Sequence, residues 1–225
     1  MTRARKQAQA RALLWDNDGV LVDTEHLFFR ATCETFAGSG ISVSREIYVD
    51  YAMRHGRSLF ELVAERGADE EEIRCIRARR DDRYTQLLRE GVQVMPGVRE
   101  TLSSLQGRLP MAVVTASGRE HFELIHSELG LLRHFEFVLA DGDYARHKPQ
   151  PDPYLAAAER LGLDPSDCIA VEDSERGLRA AVAAGMRCLV VPSGFSAGGD
   201  FSAAHRVLDS ASDIPSALAR EESIP

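Results

Sequence analysis

Lysine is almost missing from this chain: of 27 basic residues, only Lys6 and Lys148 are lysines. The stretch 25–94 therefore offers no amine for Schiff-base chemistry. Cysteines are few and scattered, at Cys33, Cys75, Cys168 and Cys188. They have neither the close pairs of a zinc site nor the density of a disulfide-stapled secreted fold, and they read as reduced, mostly packed thiols. No apolar run approaches the roughly 20 residues of a membrane span. The first eleven residues carry Arg3, Arg5, Lys6 and Arg11 but no apolar core for a signal peptide. That start reads as a solvated tail, and a cytoplasmic protein with no membrane partner is expected. Positive charge is also short overall. The net charge of -8 argues against nucleic acid, which demands a basic face. A small anion is still open to a local group of arginines, because salt confines surface fields to about 10 Å.

What the chain does have is length for a sizeable core: 225 residues, enough for one ordinary domain and a smaller one. Apolar runs bounded by turn residues at 12–15, 111–114, 135–139, 168–171 and 188–191 read as short buried strands. Helical spacing recurs at 98–105, 119–129, 153–161 and 175–184. Gly130, Gly162 and Gly185 stand where a left-handed cap ends a helix. Such alternation predicts an α/β fold, a doubly wound, mainly parallel Rossmann-like sheet. The stretch 25–94 breaks the pattern, with helices expected at 25–36, 45–53, 58–66 and 70–89. It reads as an inserted α-helical cap joined through Asp23-Thr24 and Met95-Pro96-Gly97. The expected organisation is a core of 12–23 and 95–220, a cap of 24–94, and tails of 1–11 and 221–225. The Gly/Ser-rich segment 193–200 reads as a surface loop, and 206–208 as an edge strand before a short last helix.

Ligands of an open parallel sheet collect outside the carboxyl ends of its strands, around the point where strand order reverses. After the first strand come Asp16 and Asp18; after the second, Thr115-Ala116-Ser117; after the fourth, Glu172 and Asp173. The loop after the third holds Asp141, Asp143 and His147-Lys148-Pro149. Each piece alone has a plain alternative. Asp16-Asn17-Asp18-Gly19 is also an ordinary turn, and Ser117 or Asp173 is also a helix cap. Together they bring carboxylates into one place, which is unfavourable unless a cation or a proton offsets their repulsion. A hard oxygen set of this kind suits Mg²⁺. Residues two apart at a strand end project to the same side. One carboxylate can then attack phosphorus while the other handles the proton of the leaving or attacking oxygen.

These residues resemble the four motifs of the haloacid dehalogenase-like hydrolase superfamily across nearly the whole chain. Motif one is Asp16 through Thr24, motif two centres on Thr115, motif three on Lys148 and motif four on Glu172-Asp173. The helical insert is similar to the small cap of the phosphoglycolate phosphatase and β-phosphoglucomutase branch. The resemblance implies that Asp16 is the nucleophile and forms an aspartyl-phosphate, with Asp18 as acid/base. It implies Mg²⁺ held by Asp16, the Asp18 carbonyl and Asp173, with Glu172 in support. Thr115 and Lys148, aided by Ser117 and the Ala116 amide, would grip the phosphoryl oxygens.

The implied activity is Mg²⁺-dependent hydrolysis of a small phosphorylated metabolite, of sugar-phosphate or phosphoglycolate type. Asp18 speaks against dehalogenation, where the family lacks that carboxylate, and the lysine-free cap excludes the phosphonatase mechanism. A β-phosphoglucomutase is the alternative, because Arg79 through Tyr84 resembles its substrate-binding helix, with Arg80 in place of a lysine. Phe28, however, stands where the mutase has a histidine, so the phosphatase is favoured. A non-catalytic phosphometabolite-binding protein would lack Asp16 or Asp18. Within the cap, Arg54-His55-Gly56-Arg57 is the expected substrate-facing loop. Asn17 replaces a usually apolar residue. A monomer suffices, since both halves of the site lie in one chain.

Overall fold

The computed structural model describes residues 10–222. Arg3, Arg5 and Lys6 of the basic start, and residues 223–225, lie outside the described residues. Arg11 does not belong to a free tail: its amide donates to the Asp167 carbonyl (2.7 Å) and its guanidinium pairs with the Asp167 carboxylate (3.3 Å).

The central strand β1 (Ala12–Trp15) is buried at every residue. Its side chains alternate between two cores, as the two-residue period of a strand requires. Leu13 and Trp15 face one apolar cluster, Ala12 and Leu14 the other. β1 is flanked by β4 (Met111–Val114) and β6 (Cys168–Glu172). Beyond them lie β5 (Phe137–Leu139) on one side, then β7 (Arg187–Val190) and β8 (Arg206–Val207) on the other. The order is β5-β4-β1-β6-β7-β8, with every pairing parallel. A strand buried on both faces reads as a continuous apolar run, which is why these segments stand out in the sequence. Helices α5 (Val98–Leu105), α6 (Arg119–His126) and α9 (Ile214–Glu222) cover one face; α7 (Asp152–Leu161) and α8 (Glu175–Ala183) cover the other. The chain reverses direction across the sheet after β5, returning through α7 to the far side of β1. The crevice this leaves opens at the carboxyl ends of β4, β1 and β6.

Between β1 and β4 lies the helical insert. Short strands β2 (Val22–Asp23) and β3 (Gln93–Val94) pair antiparallel, so the entry and exit of the insert are hydrogen-bonded to each other. The insert contains α1 (Glu25–Ala37), α2 (Arg45–Tyr48), α3 (Phe60–Ala64) and α4 (Glu70–Arg89). The Asp69 side chain caps α4 by accepting from the Glu72 amide (2.8 Å), and Glu70, Glu71 and Glu72 complement the helix dipole. The single helix expected at 45–53 is instead α2 followed by a π-helical stretch, Val49–Arg54. Its wider turn carries Tyr48 and Met53, five residues apart, both into the interior. The insert has its own core around Phe36, Tyr48, Phe60 and Ile76, while Leu27, Tyr84 and Leu87 at its root join the core of the sheet.

Candidate active site

β1 ends on Asp16 and hands the chain to a tight loop. The Asn17 carbonyl accepts from the amides of Val20, Leu21 and Val22 (3.2, 2.8 and 3.2 Å), and Gly19 adopts φ +79°. A side chain at Gly19 is excluded twice. The conformation is left-handed, and a Cβ would lie 2.4 Å from Asp173 Oδ2.

Lys148 reaches the same point from the loop after β5. Only 3% exposed, its ammonium donates three hydrogen bonds: to Asp16 Oδ1 (3.0 Å), Glu172 Oε1 (2.6 Å) and the Val114 carbonyl (2.9 Å). All three donors of a buried lysine are thus satisfied. Burial pulls its pKa down, but the charges of Asp16 and Glu172 outweigh this and hold it above the ordinary lysine value. Asp16 is pushed up to about 7, first by burial and then by the Glu172 charge, with Lys148 opposing. Burial, followed by the charges of Asp16 and Glu172, drives Asp173 well above the usual carboxylate range.

Asp16, Glu172 and Asp173 present carboxylate oxygens within 4.8 Å of one another. One lysine charge faces three carboxylates, and the buried Glu172 Oε2 has no hydrogen-bond partner. Tyr154 donates only to the other oxygen (2.6 Å). An all-oxygen set with surplus negative charge and one orphaned atom fits a hard divalent cation such as Mg²⁺. The residues that could hold it are Asp16, Glu172 and Asp173.

Asp18 lies in different company. Its Oδ2 accepts from the hydroxyls of Ser117 (2.6 Å) and Thr115 (3.3 Å), and its Oδ1 from that of Thr24. Ser117 is not a helix cap: α6 begins after Gly118 without a side-chain cap. Nor is Asp173, because Ser174 caps α8 by accepting from the Gly177 amide (3.1 Å). Gly177 itself makes room for the cluster, since a Cβ there would stand 1.9 Å from the Glu172 carboxyl carbon.

Above the strand ends lies a cavity of about 450 Å³. Asp16, Asp18, Ala116 and Ser117 form part of its floor, and Arg80 part of its cap wall. The other expected cap residues are elsewhere. Arg54 pairs with Glu175 (3.4 Å), His55 with Asp50 (3.5 Å), and Arg57 with Glu61 while lying over the Tyr51 ring. Nearby acids and an aromatic face hold these side chains outside the cavity lining. In their place stand Arg77, Tyr84, Tyr48, His121 and Arg176. One signal for them was available: Arg77, Arg80, Asp81 and Tyr84 follow i, i+3, i+4, i+7 spacing and share one face of α4. Arg176 and Tyr48 had no such mark. The segment 193–200 also departs from expectation: Ser193 and Ser196 are buried, and both hydroxyls donate to Asp173 Oδ2 (2.7 and 3.2 Å). Asn17 and His126, residues without an assigned role, are hydrogen-bonded to each other behind the loop (2.7 Å).

Paired aspartates at the end of the central strand of a doubly wound sheet, answered by one buried lysine, place the molecule among α/β enzymes that act on phosphoryl groups. The model of the haloacid dehalogenase-like hydrolase family matches residues 13–191. The chain belongs to that family, as a phosphatase. It is 33% identical over 211 residues to Protein CbbY of Rhodobacter capsulatus, covering 87% of this chain and 91% of that one. It is 29% identical over 174 residues to the fructose-1-phosphate phosphatase YqaB of Escherichia coli, covering 77% and 92%. A crystal structure of a CbbY variant from Rhodobacter sphaeroides in complex with xylulose-(1,5)bisphosphate superposes with a TM-score of 0.77 at 30% identity, over 91% of this chain and 96% of that one. Among the described residues, no helix is long and apolar enough to cross a membrane.

Proposed function

We propose that the protein hydrolyses small phosphorylated metabolites with Asp16 as nucleophile, Asp18 as acid/base and Mg²⁺ as cofactor, residues 24–94 acting as a cap over the substrate. One observation carries this reading: two aspartates two residues apart have opposite surroundings. Asp16 faces an ammonium and two carboxylates, whereas Asp18 accepts hydrogen bonds from three hydroxyls.

An Asp16 oxygen attacks phosphorus, the bond from phosphorus to the ester oxygen breaks, and the leaving alkoxide takes a proton from Asp18. A water then attacks the acyl phosphate. Its proton passes to Asp18, the bond from phosphorus to Asp16 breaks, and phosphate leaves with both carboxyl groups restored. When bound, the ion supplies positive charge that favours ionised Asp16 and offsets charge building on the phosphoryl oxygens. The Ala116 amide and Ser117, on the cavity floor, receive the phosphoryl group. Thr115 and Lys148, expected to grip it directly, are buried and outside the cavity lining, so they act from behind, Thr115 by holding Asp18 and Lys148 by holding Asp16.

A cavity of about 450 Å³ is of the size that takes a small metabolite. Arg77, Arg80 and Arg176 on its walls favour a substrate with a second acidic group, as phosphoglycolate and a sugar bisphosphate have. Phe28 lines the cavity with its ring against Tyr84 (5.1 Å) and beneath the Arg80 guanidinium (4.4 Å). A hydrocarbon ring moves no proton, which favours hydrolysis over the mutase reaction. The test is phosphate release from an aryl phosphate with Mg²⁺ and with EDTA, followed by a panel of phosphorylated metabolites. Asp16→Asn abolishes Mg²⁺-dependent release; undiminished turnover in that variant removes the nucleophile assignment.

A further inference from the structure

The segment 193–199 touches both the carboxylate cluster and the helical insert. At one end, Ser193 and Ser196 donate to Asp173 Oδ2 and are tied together by the Ser193 amide, which donates to Ser196 Oγ (2.8 Å). At the other, Phe195 packs into the core of the insert, its ring 5.3 Å from Phe29 and 5.7 Å from Tyr48. Arg45 lies over that ring (4.7 Å) and donates to the Gly194 carbonyl, while Arg54 donates to the Gly198 carbonyl (3.3 Å). Among the described members of the insert's core cluster, Phe195 is the one contributed from outside residues 24–94.

We propose that this loop couples cation binding at the carboxylate cluster to docking of the cap, so that each strengthens the other. The inference rests on the reading of Asp16, Glu172 and Asp173 as a cation site. Groups that hydrogen-bond a metal-binding carboxylate fix its orientation, and losing them typically costs about 10–100-fold in metal affinity. Here the backbone carrying those hydroxyls is the backbone that carries Phe195. Lifting the cap withdraws the aromatic neighbours of Phe195 and the arginines on the Gly194 and Gly198 carbonyls. The loop is then free to move, and Asp173 loses its fixed donors. By reciprocity, a cation that fixes Asp173 against Ser193 and Ser196 holds the loop where the cap docks on it.

Calorimetric titration of the full chain with Mn²⁺, without substrate, tests this. Phe195→Ala and Arg45→Ala each weaken Mn²⁺ binding by about fivefold or more. Arg30→Ala, whose partner Glu34 lies within the insert, binds as the wild type does. Hydrogen exchange supplies the second readout: Mn²⁺ slows exchange across 45–54 in the wild type and not in Phe195→Ala. Should that variant fail to fold, Arg45→Ala carries both measurements. Affinities within about twofold of wild type in the folded variants overturn the coupling. Absence of Mn²⁺ binding in the wild type, or unchanged binding in Asp173→Asn, overturns the cation reading instead.

Discussion

His126 is 5% exposed and stacked on Phe122, with its Nε2 hydrogen-bonded to Asn17 Oδ1 (2.7 Å) and no partner for Nδ1. Burial lowers its pKa from 6.5 to about 4, with the Asp18 charge opposing. The folded protein therefore binds this proton more weakly than the unfolded chain. A depressed folded-state pKa means the contribution is present above pH 6.5 and is lost as pH falls through 4. Linkage between these two pKa values puts the loss at about 2 kcal/mol by pH 5 and about 3 kcal/mol by pH 4. His126→Phe removes this titration but leaves the Asn17 oxygen without its donor, which costs about 1–3 kcal/mol at pH 7. The variant starts lower and falls less, so the two urea-unfolding stabilities converge between pH 7 and pH 5. Measurement in EDTA keeps cation binding out of the comparison. A His126 ring signal that titrates above pH 6, or acid curves that run parallel in wild type and variant, would refute the reasoning.

Lys148→Met leaves Asp16 and Glu172 buried without their ammonium, and breaking a buried pair in this way costs about 3–5 kcal/mol; thermal unfolding in EDTA should fall by roughly 6–20 °C. Gly177→Ala forces the Glu172 carboxylate off both Lys148 and Tyr154, with an overpacking cost of about 1–3 kcal/mol, whereas Gly118→Ala, which meets nothing within 4 Å, stays within about 0.5 kcal/mol; urea midpoints distinguish the two. Arg80→Met raises KM about tenfold or more for a substrate with a second acidic group, since a hydrogen bond to a charge is worth about 1.5–3 kcal/mol, and raises it much less for an aryl phosphate. Steady-state kinetics on both substrates checks this.

What the sequence reveals follows from how local each cause is. β1 and β4 are legible to the residue because burial on both faces makes every position apolar, and α4 because Asp69 and three glutamates mark its start. Asp16 and Asp18 are legible because a strand end followed by a glycine turn puts both on one side of the sheet. The loop 193–199 is not, because glycine and serine read alike whether they meet water or a carboxylate. Only strand order, which sets the end of β7 beside that of β6, brings Ser193 and Ser196 to Asp173. The cap arginines fail for a related reason. Arg54 and Arg57 flank a glycine with φ +63° and so mark a real turn, yet Glu175 and Glu61 occupy their guanidinium groups. Arg80 reaches the cavity because aromatic rings and Asp81 hold it along the inner face of α4. A motif identifies the chemistry of the floor, where backbone geometry dictates residue type. The walls are assigned by where each arginine's nearest carboxylate lies: Asp81, itself on the cavity wall, keeps Arg80 there (2.7 Å), whereas Glu175 and Glu61 draw Arg54 and Arg57 away, and that competition is settled only once the chain has folded.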